Sequence, residues 1–123
     1  MKAKITFLKK TILANLRHKW TVKNLAHSVD VSPAHLQKLF KEEMGISPIQ
    51  FIKQLRLEKA RKLLETTFLR VQQIGFEVGI TDQSYLDREF KKKYGATPNQ
   101  YREQFREKLE AKRQNPINDS FVQ

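Results

Sequence analysis

Apolar residues return along the chain at three- and four-residue steps, interrupted by proline, glycine and capping residues, and this pattern predicts a protein built from helices. Ile5, Leu8, Ile12, Leu13 and Leu16 mark a first amphipathic helix from about Lys4 to Arg17. Thr21 caps a second helix that turns Val22, Leu25, Ala26 and Val29 inward, with Trp20 and Leu25 placed as a hydrophobic staple. Asp30 stands at a corner where left-handed backbone is wanted, and Asp is among the few residues that tolerate it. Ser32 and Pro33 open a third helix, because proline's missing N–H and fixed φ suit the first turn. Leu36, Leu39, Phe40 and Met44 form its buried stripe, which leaves Ala34, His35, Gln37, Lys38 and Lys41 towards solvent, and Gly45 ends it.

Ser47 and Pro48 repeat the same opening device and start a longer helix over about 48–65, with Ile52, Leu55, Ala60, Leu63 and Leu64 inward. Val71, Ile74 and Val78 mark another short helix. Gly79 supplies a corner, and Thr81 or Asp82 caps the helix that follows. That helix buries Leu86, Phe90 and Tyr94, exposes Gln83, Ser84, Asp87, Arg88 and Lys91, and stops at Gly95 before Thr97 and Pro98 begin the last helix. From Gln114 to Gln123 the chain carries Asn-Pro and Asn-Asp-Ser without an apolar period. The expected organisation is one domain over 1–113 and a flexible tail over 114–123.

The two halves repeat. Leu36 and Leu86, Phe40 and Phe90, Lys41 and Lys91, Gly45 and Gly95, Pro48 and Pro98, and Phe51 and Tyr101 each lie 50 positions apart. Upstream the offset is 49, pairing Leu25 with Ile74, Val29 with Val78, Asp30 with Gly79 and Ser32 with Thr81, so one residue is inserted at the start of the second exposed helix. Short helix, tight corner, second helix with a polar outer face is the helix-turn-helix pattern, and it occurs twice.

Charge narrows the choice of partner. Lys and Arg number 24 against 13 Asp and Glu, giving a net charge of +11, which favours a polyanion. The absence of cysteine excludes disulfide frameworks, thiolate metal sites and cysteine nucleophiles, and is in keeping with a reducing, cytoplasmic setting. Met1 to Lys10 breaks its apolar residues with four lysines and holds no run long enough for a signal peptide or membrane span, so no membrane association is expected. His18, His27 and His35 lack the spacing and carboxylate partner of a metal site, and no phosphate loop, nucleophile triad or carboxylate pair offers catalysis. No metal, cofactor or enzymatic activity is expected.

The run Gly79-Ile80-Thr81-Asp82-Gln83-Ser84-Tyr85-Leu86-Asp87-Arg88-Glu89-Phe90-Lys91-Lys92-Lys93-Tyr94-Gly95-Ala96-Thr97-Pro98-Asn99-Gln100-Tyr101-Arg102 resembles the hallmark of the AraC/XylS family of DNA-binding domains. The first-half run from Val31 to Lys41 resembles it too, and the likeness covers about Ile5 to Arg102. It implies an all-α fold of seven helices in two helix-turn-helix subdomains, about 21–44 and 71–94, joined by the connector over about 48–65. It also implies recognition helices, about 33–43 and 83–93, that enter successive major grooves of double-stranded DNA. Groove centres on one face lie ~34 Å apart, so rigidly linked helices set closer than this bend the duplex.

By the family's pattern the base-facing residues are Ala34, Gln37 and Lys38 in the first unit and Gln83, Ser84, Asp87 and Arg88 in the second. Their chemistry suits most of these places: Gln pairs with adenine, Arg and Lys with guanine, and Ala34 touches a thymine methyl. Asp87 is repelled by phosphates unless it accepts a hydrogen bond from a cytosine amino group. Lys23, Lys41, Arg56, Lys91 and Lys92 are candidate phosphate contacts. Departures from the family include Ile74-Gly75 in place of the usual Ile-Ala, which allows close packing but costs ~1 kcal/mol of helix propensity, so that a looser second lobe is expected. The expected activity is sequence-specific DNA binding and transcription regulation by a monomer, with RNA polymerase as a further candidate partner. A sequence-tolerant nucleoid or RNA-binding protein shares the same charge and is the competing expectation.

Overall fold

In the computed structural model, which describes residues 2–114, the chain forms seven helices and no strand among those residues. They are α1 (Lys2–Ala14), α2 (Val22–Ser28), α3 (Pro33–Met44), α4 (Pro48–Thr66), α5 (Val71–Val78), α6 (Gln83–Tyr94) and α7 (Pro98–Gln114). The starts follow local chemistry. Thr21 and Asn24 form a reciprocal capping box on α2, Ser47 and Gln50 one on α4, and Thr97 and Gln100 one on α7. Ser32 caps α3 by accepting from the His35 N–H, and Asp82, not Thr81, caps α6 by accepting from the Tyr85 N–H.

The long helix α4 is the hub: α3, α5 and α7 pack on it, α2 packs on α3, and α6 packs on α5 and α7. One apolar cluster runs through both halves, from Ile5, Leu8 and Ile12 of α1 through Leu36 and Phe40, then Phe51, Leu55 and Leu64, to Ile74, Leu86 and Phe90. The repeat is visible in it. Phe40 meets Phe51 with ring centroids 5.3 Å apart, and 50 positions on Phe90 meets Tyr101 at 5.5 Å. Gly45 and Gly95 close α3 and α6 with φ of 74° and 81°. No helix among the described residues is long and apolar enough to cross a membrane.

Several expectations need correction. Helix α1 ends at Ala14 rather than near Arg17, where the chain tightens and the Asn15 N–H donates to the Ile12 carbonyl at 3.1 Å, three residues back instead of four. The Trp20 indole N–H donates to the Asn15 carbonyl at 2.9 Å, and Arg56 donates to the Leu16 carbonyl at 3.2 Å. Leu13 and Met44, read as inward, are 44% and 43% exposed, each in the last turn of its helix. Leu57, not singled out in the sequence, is 2% exposed in the middle of α4. Helix α7 includes Gln114, the first residue of the expected tail, and the remainder of that expectation, 115–123, lies outside the described residues.

Gly75 has the close packing that its lack of a side chain allows. A Cβ there would sit 2.5 Å from the Ile80 carbonyl oxygen, whose own N–H donates back to the Gly75 carbonyl at 2.8 Å. The missing side chain lets α5 close tightly on the turn after it. The extra residue of the second unit lies in this turn, between the corner at Gly79 and the cap at Asp82, rather than in α6.

Candidate nucleic-acid interface

Each unit is a short helix, a left-handed corner and an outward-facing helix. In the first, α2 ends before Asp30, whose φ of 61° makes it the single non-glycine residue with positive φ among those described. Burial of Leu36, Leu39 and Phe40 fixes the rotation of α3, so Ala34, Gln37, Lys38 and Lys41 lie together on its exposed face. In the second, Gly79 makes the corner at φ 83°, and burial of Leu86, Glu89 and Phe90 turns Gln83, Ser84, Arg88, Lys91 and Lys92 outward. Asp87 is half-buried. Ala34 and Ser84, Gln37 and Asp87, and Lys38 and Arg88 occupy matching places on their helices, 50 positions apart.

The two faces differ in how their polar groups are held. On α6 the Gln83 amide donates to an Asp87 carboxylate oxygen at 3.2 Å, one turn along the helix. Glu89 is the single charged side chain buried among the described residues, at 8% exposure. Its Oε1 accepts from Lys53 Nζ of α4 at 2.9 Å, and its Oε2 lies 3.2 Å from Lys92 Nζ and 3.6 Å from Arg88 Nε. The hydrogen bond from Lys53, followed by that from Lys92, holds the Glu89 carboxyl below the ordinary carboxylate value, and the same bond raises Lys53. The guanidinium of Arg88 also lies over the Tyr85 ring, 5.6 Å from its centroid.

Of the candidate phosphate contacts, Lys23, Lys41, Lys91 and Lys92 are exposed. Arg56 is not free for that task. Its Nε donates to the Leu16 carbonyl at 3.2 Å and its Nη2 to the His18 carbonyl at 2.9 Å, and burial lowers its pKa from the ordinary arginine value. It ties the α1–α2 connection to α4. Arg102 of α7 does the corresponding work in the second half, donating to the carbonyls of Leu64, Thr67 and Leu69. Lys53, Tyr85, Glu89 and Arg102 had no assigned role in the sequence. One signal was present, since Glu89 falls where the repeat puts the buried Leu39.

A family model described as a helix-turn-helix domain matches residues 25–104. The arabinose operon regulatory protein of Escherichia coli K12 is 36% identical over 88 residues, which is 72% of this chain and 30% of that protein. The C-terminal domain of the two-component response regulator yesN from Fusobacterium nucleatum superposes with a TM-score of 0.74 at 35% identity, covering 83% of this chain and 99% of that one. A transcriptional regulator of the AraC-type DNA-binding-domain class from Chromobacterium violaceum superposes with a TM-score of 0.79 at 29% identity, covering 85% and 93%. The chain thus spans 30% of the length of the arabinose regulator it matches.

Proposed function

Because the chain belongs to the AraC/XylS family of helix-turn-helix DNA-binding domains, we propose that it binds double-stranded DNA in a sequence-specific manner and regulates transcription. The observation that carries this reading is the pair of equivalent polar helix faces, on α3 and α6, borne by one continuous core. Each helix enters one of two successive major grooves. Gln37 and Gln83 read adenine, Lys38 and Arg88 read guanine, Ala34 meets a thymine methyl, and Asp87 accepts from a cytosine amino group. Ser84 bonds to either edge. Lys23, Lys41, Lys91 and Lys92 neutralise phosphates.

One chain carries both units, so one chain per site suffices, and the reading assigns the protein no catalytic step. Its target places it with the chromosome in the cytoplasm, and RNA polymerase is the partner through which bound protein would alter transcription.

Selection from a random duplex pool, followed by titration of the selected and unrelated duplexes, tests the proposal. The selected site is expected to bind ~10³-fold or more tightly, one chain per site, with two separated blocks of preferred bases. Affinity is expected to fall by about 10³–10⁵ from low to near-physiological salt if roughly six to ten phosphates are neutralised. Equal affinity for both duplexes, with dependence on length and salt alone, would instead mark a sequence-tolerant nucleic-acid binder.

A further inference from the structure

Arginine and lysine at the matching places of the two reading helices are not held alike. Arg88 has a neighbour on each of two sides: its Nε lies 3.6 Å from Glu89 Oε2, an oxygen that Lys92 approaches to 3.2 Å, and its guanidinium carbon lies over the Tyr85 ring, 5.6 Å from the centroid. Glu89 is fixed in turn, because its other oxygen accepts from Lys53 of the connector helix at 2.9 Å and its side chain is nearly closed to solvent. The restraint therefore runs from α4 through Lys53 and Glu89 to Arg88. With Nε on the side of Glu89, the two terminal nitrogens of the Arg88 fork remain available, and the side chain is 59% exposed. Those nitrogens are the pair that would reach the two acceptors on a guanine edge.

Lys38 has none of this. The repeat puts Leu39 where the second unit has Glu89 and His35 where it has Tyr85, and among the described residues Lys38 forms no ion pair. A lysine ammonium on a mobile stem is a point charge without a fork, whereas an arginine set in advance loses less freedom when it binds and tolerates a misplaced base less well.

Resting on the DNA-reading function proposed above, we infer that Glu89 and Tyr85 are positioning residues that preset Arg88, so that the second unit discriminates its base pair more sharply than the first discriminates the pair read by Lys38.

The experiment uses the whole chain and its selected duplex. The base pairs lost on Arg88→Ala and on Lys38→Ala are identified first, and all four pairs are then tested at each. The wild-type protein is expected to discriminate about 5- to 150-fold at the Arg88 pair and less at the Lys38 pair. Glu89→Gln and Tyr85→Leu are each expected to reduce discrimination at the Arg88 pair by about threefold or more and leave the other positions unchanged. Glu89→Gln added to Arg88→Ala should change that pair no further.

Retained discrimination in folded Glu89→Gln and Tyr85→Leu, with loss in Arg88→Ala, would refute the inference and leave the DNA-reading function standing. Loss spread evenly over every position would also refute it, since that is the mark of general destabilisation. An unchanged profile for Arg88→Ala would remove both the reading at Arg88 and the inference built on it. The comparison of the two base pairs in the wild-type protein needs no variant to fold, and equal or sharper discrimination at the Lys38 pair overturns the inference by itself.

Discussion

At Gly79 the backbone turns with φ of 83°, and a Cβ added there would sit 2.4 Å from the carbonyl oxygen of Leu16. Gly95 has a similar φ of 81° but nothing within 4 Å of an added Cβ. Gly95→Ala should therefore lose only the about 1–2 kcal/mol of a left-handed non-glycine residue. Gly79→Ala should lose more, since the α1–α2 connection must also move. Chemical unfolding of the two variants measures the difference, and equal losses would mean that the close approach to Leu16 is not maintained in solution. The Lys53–Glu89 bond makes a second residue-scale prediction. Glu89 titrates below its ordinary value, so its contribution is present above the unfolded carboxyl's pKa and is lost as pH falls through the folded one. Lys53 titrates above its ordinary value, so its contribution is present below the unfolded lysine's pKa and fades as pH rises through the folded one. The pair thus stabilises across neutral pH and fails at both ends. Glu89→Gln should lower the melting temperature at pH 7 (roughly the middle of that window) and flatten its fall in acid; an unaltered acid slope would show that other carboxylates set it. The repeat marks position 89 as inward-facing, at the place of Leu39, but the partner of Glu89 was not legible, since Lys53 lies 36 positions away and nothing local announces the pairing.

Helices begin where the chain says they do and end where their neighbours allow. The starts of α2, α3, α4 and α7 rest on contacts between residues three apart, so the caps at Thr21, Ser32, Ser47 and Thr97 were readable directly. The placing of the segment after α1 was not, because it depends on Arg56, 40 positions from Leu16. The same side chain separates two kinds of basic residue that look identical in the sequence. Arg56→Ala should destabilise the fold by about 1 kcal/mol, since it leaves the partly buried Leu16 carbonyl short of a donor, and should leave the salt dependence of DNA binding nearly unchanged. Lys91→Ala should leave stability alone, weaken binding evenly across DNA sequences, and reduce the slope of log affinity against log salt by about one. Melting curves and salt titrations of both variants test the division, and a reduced salt slope for Arg56→Ala would return it to the phosphate set. The outward residues of α3 and α6 were legible as the complement of a buried stripe. How Gln83, Asp87 and Arg88 are held on that face was not.

Across the whole molecule, α4 lends one core to both units, and Arg56 and Arg102 fasten the α1–α2 and α4–α5 connections to it and to α7. Such a body should unfold in one step. Trp20, the single tryptophan, sits beside the first unit, while far-UV circular dichroism reports on all the helices. Their transitions are expected to coincide, and fluorescence melting separately from ellipticity would show that the lobes are independent. The amino-acid order alone determined the helical class, the duplication, the caps and corners, and which faces of α3 and α6 stay polar. Those features depend on periodicity and on hydrogen bonds that span about four residues, so they are written locally. Tertiary structure alone decided why Gly79 has no room for a side chain beside Leu16, which arginine is engaged by carbonyls, and which lysine pairs with Glu89. Each of those depends on groups tens of residues apart being brought within a few ångströms, where burial changes the strength of a charge and the availability of a donor.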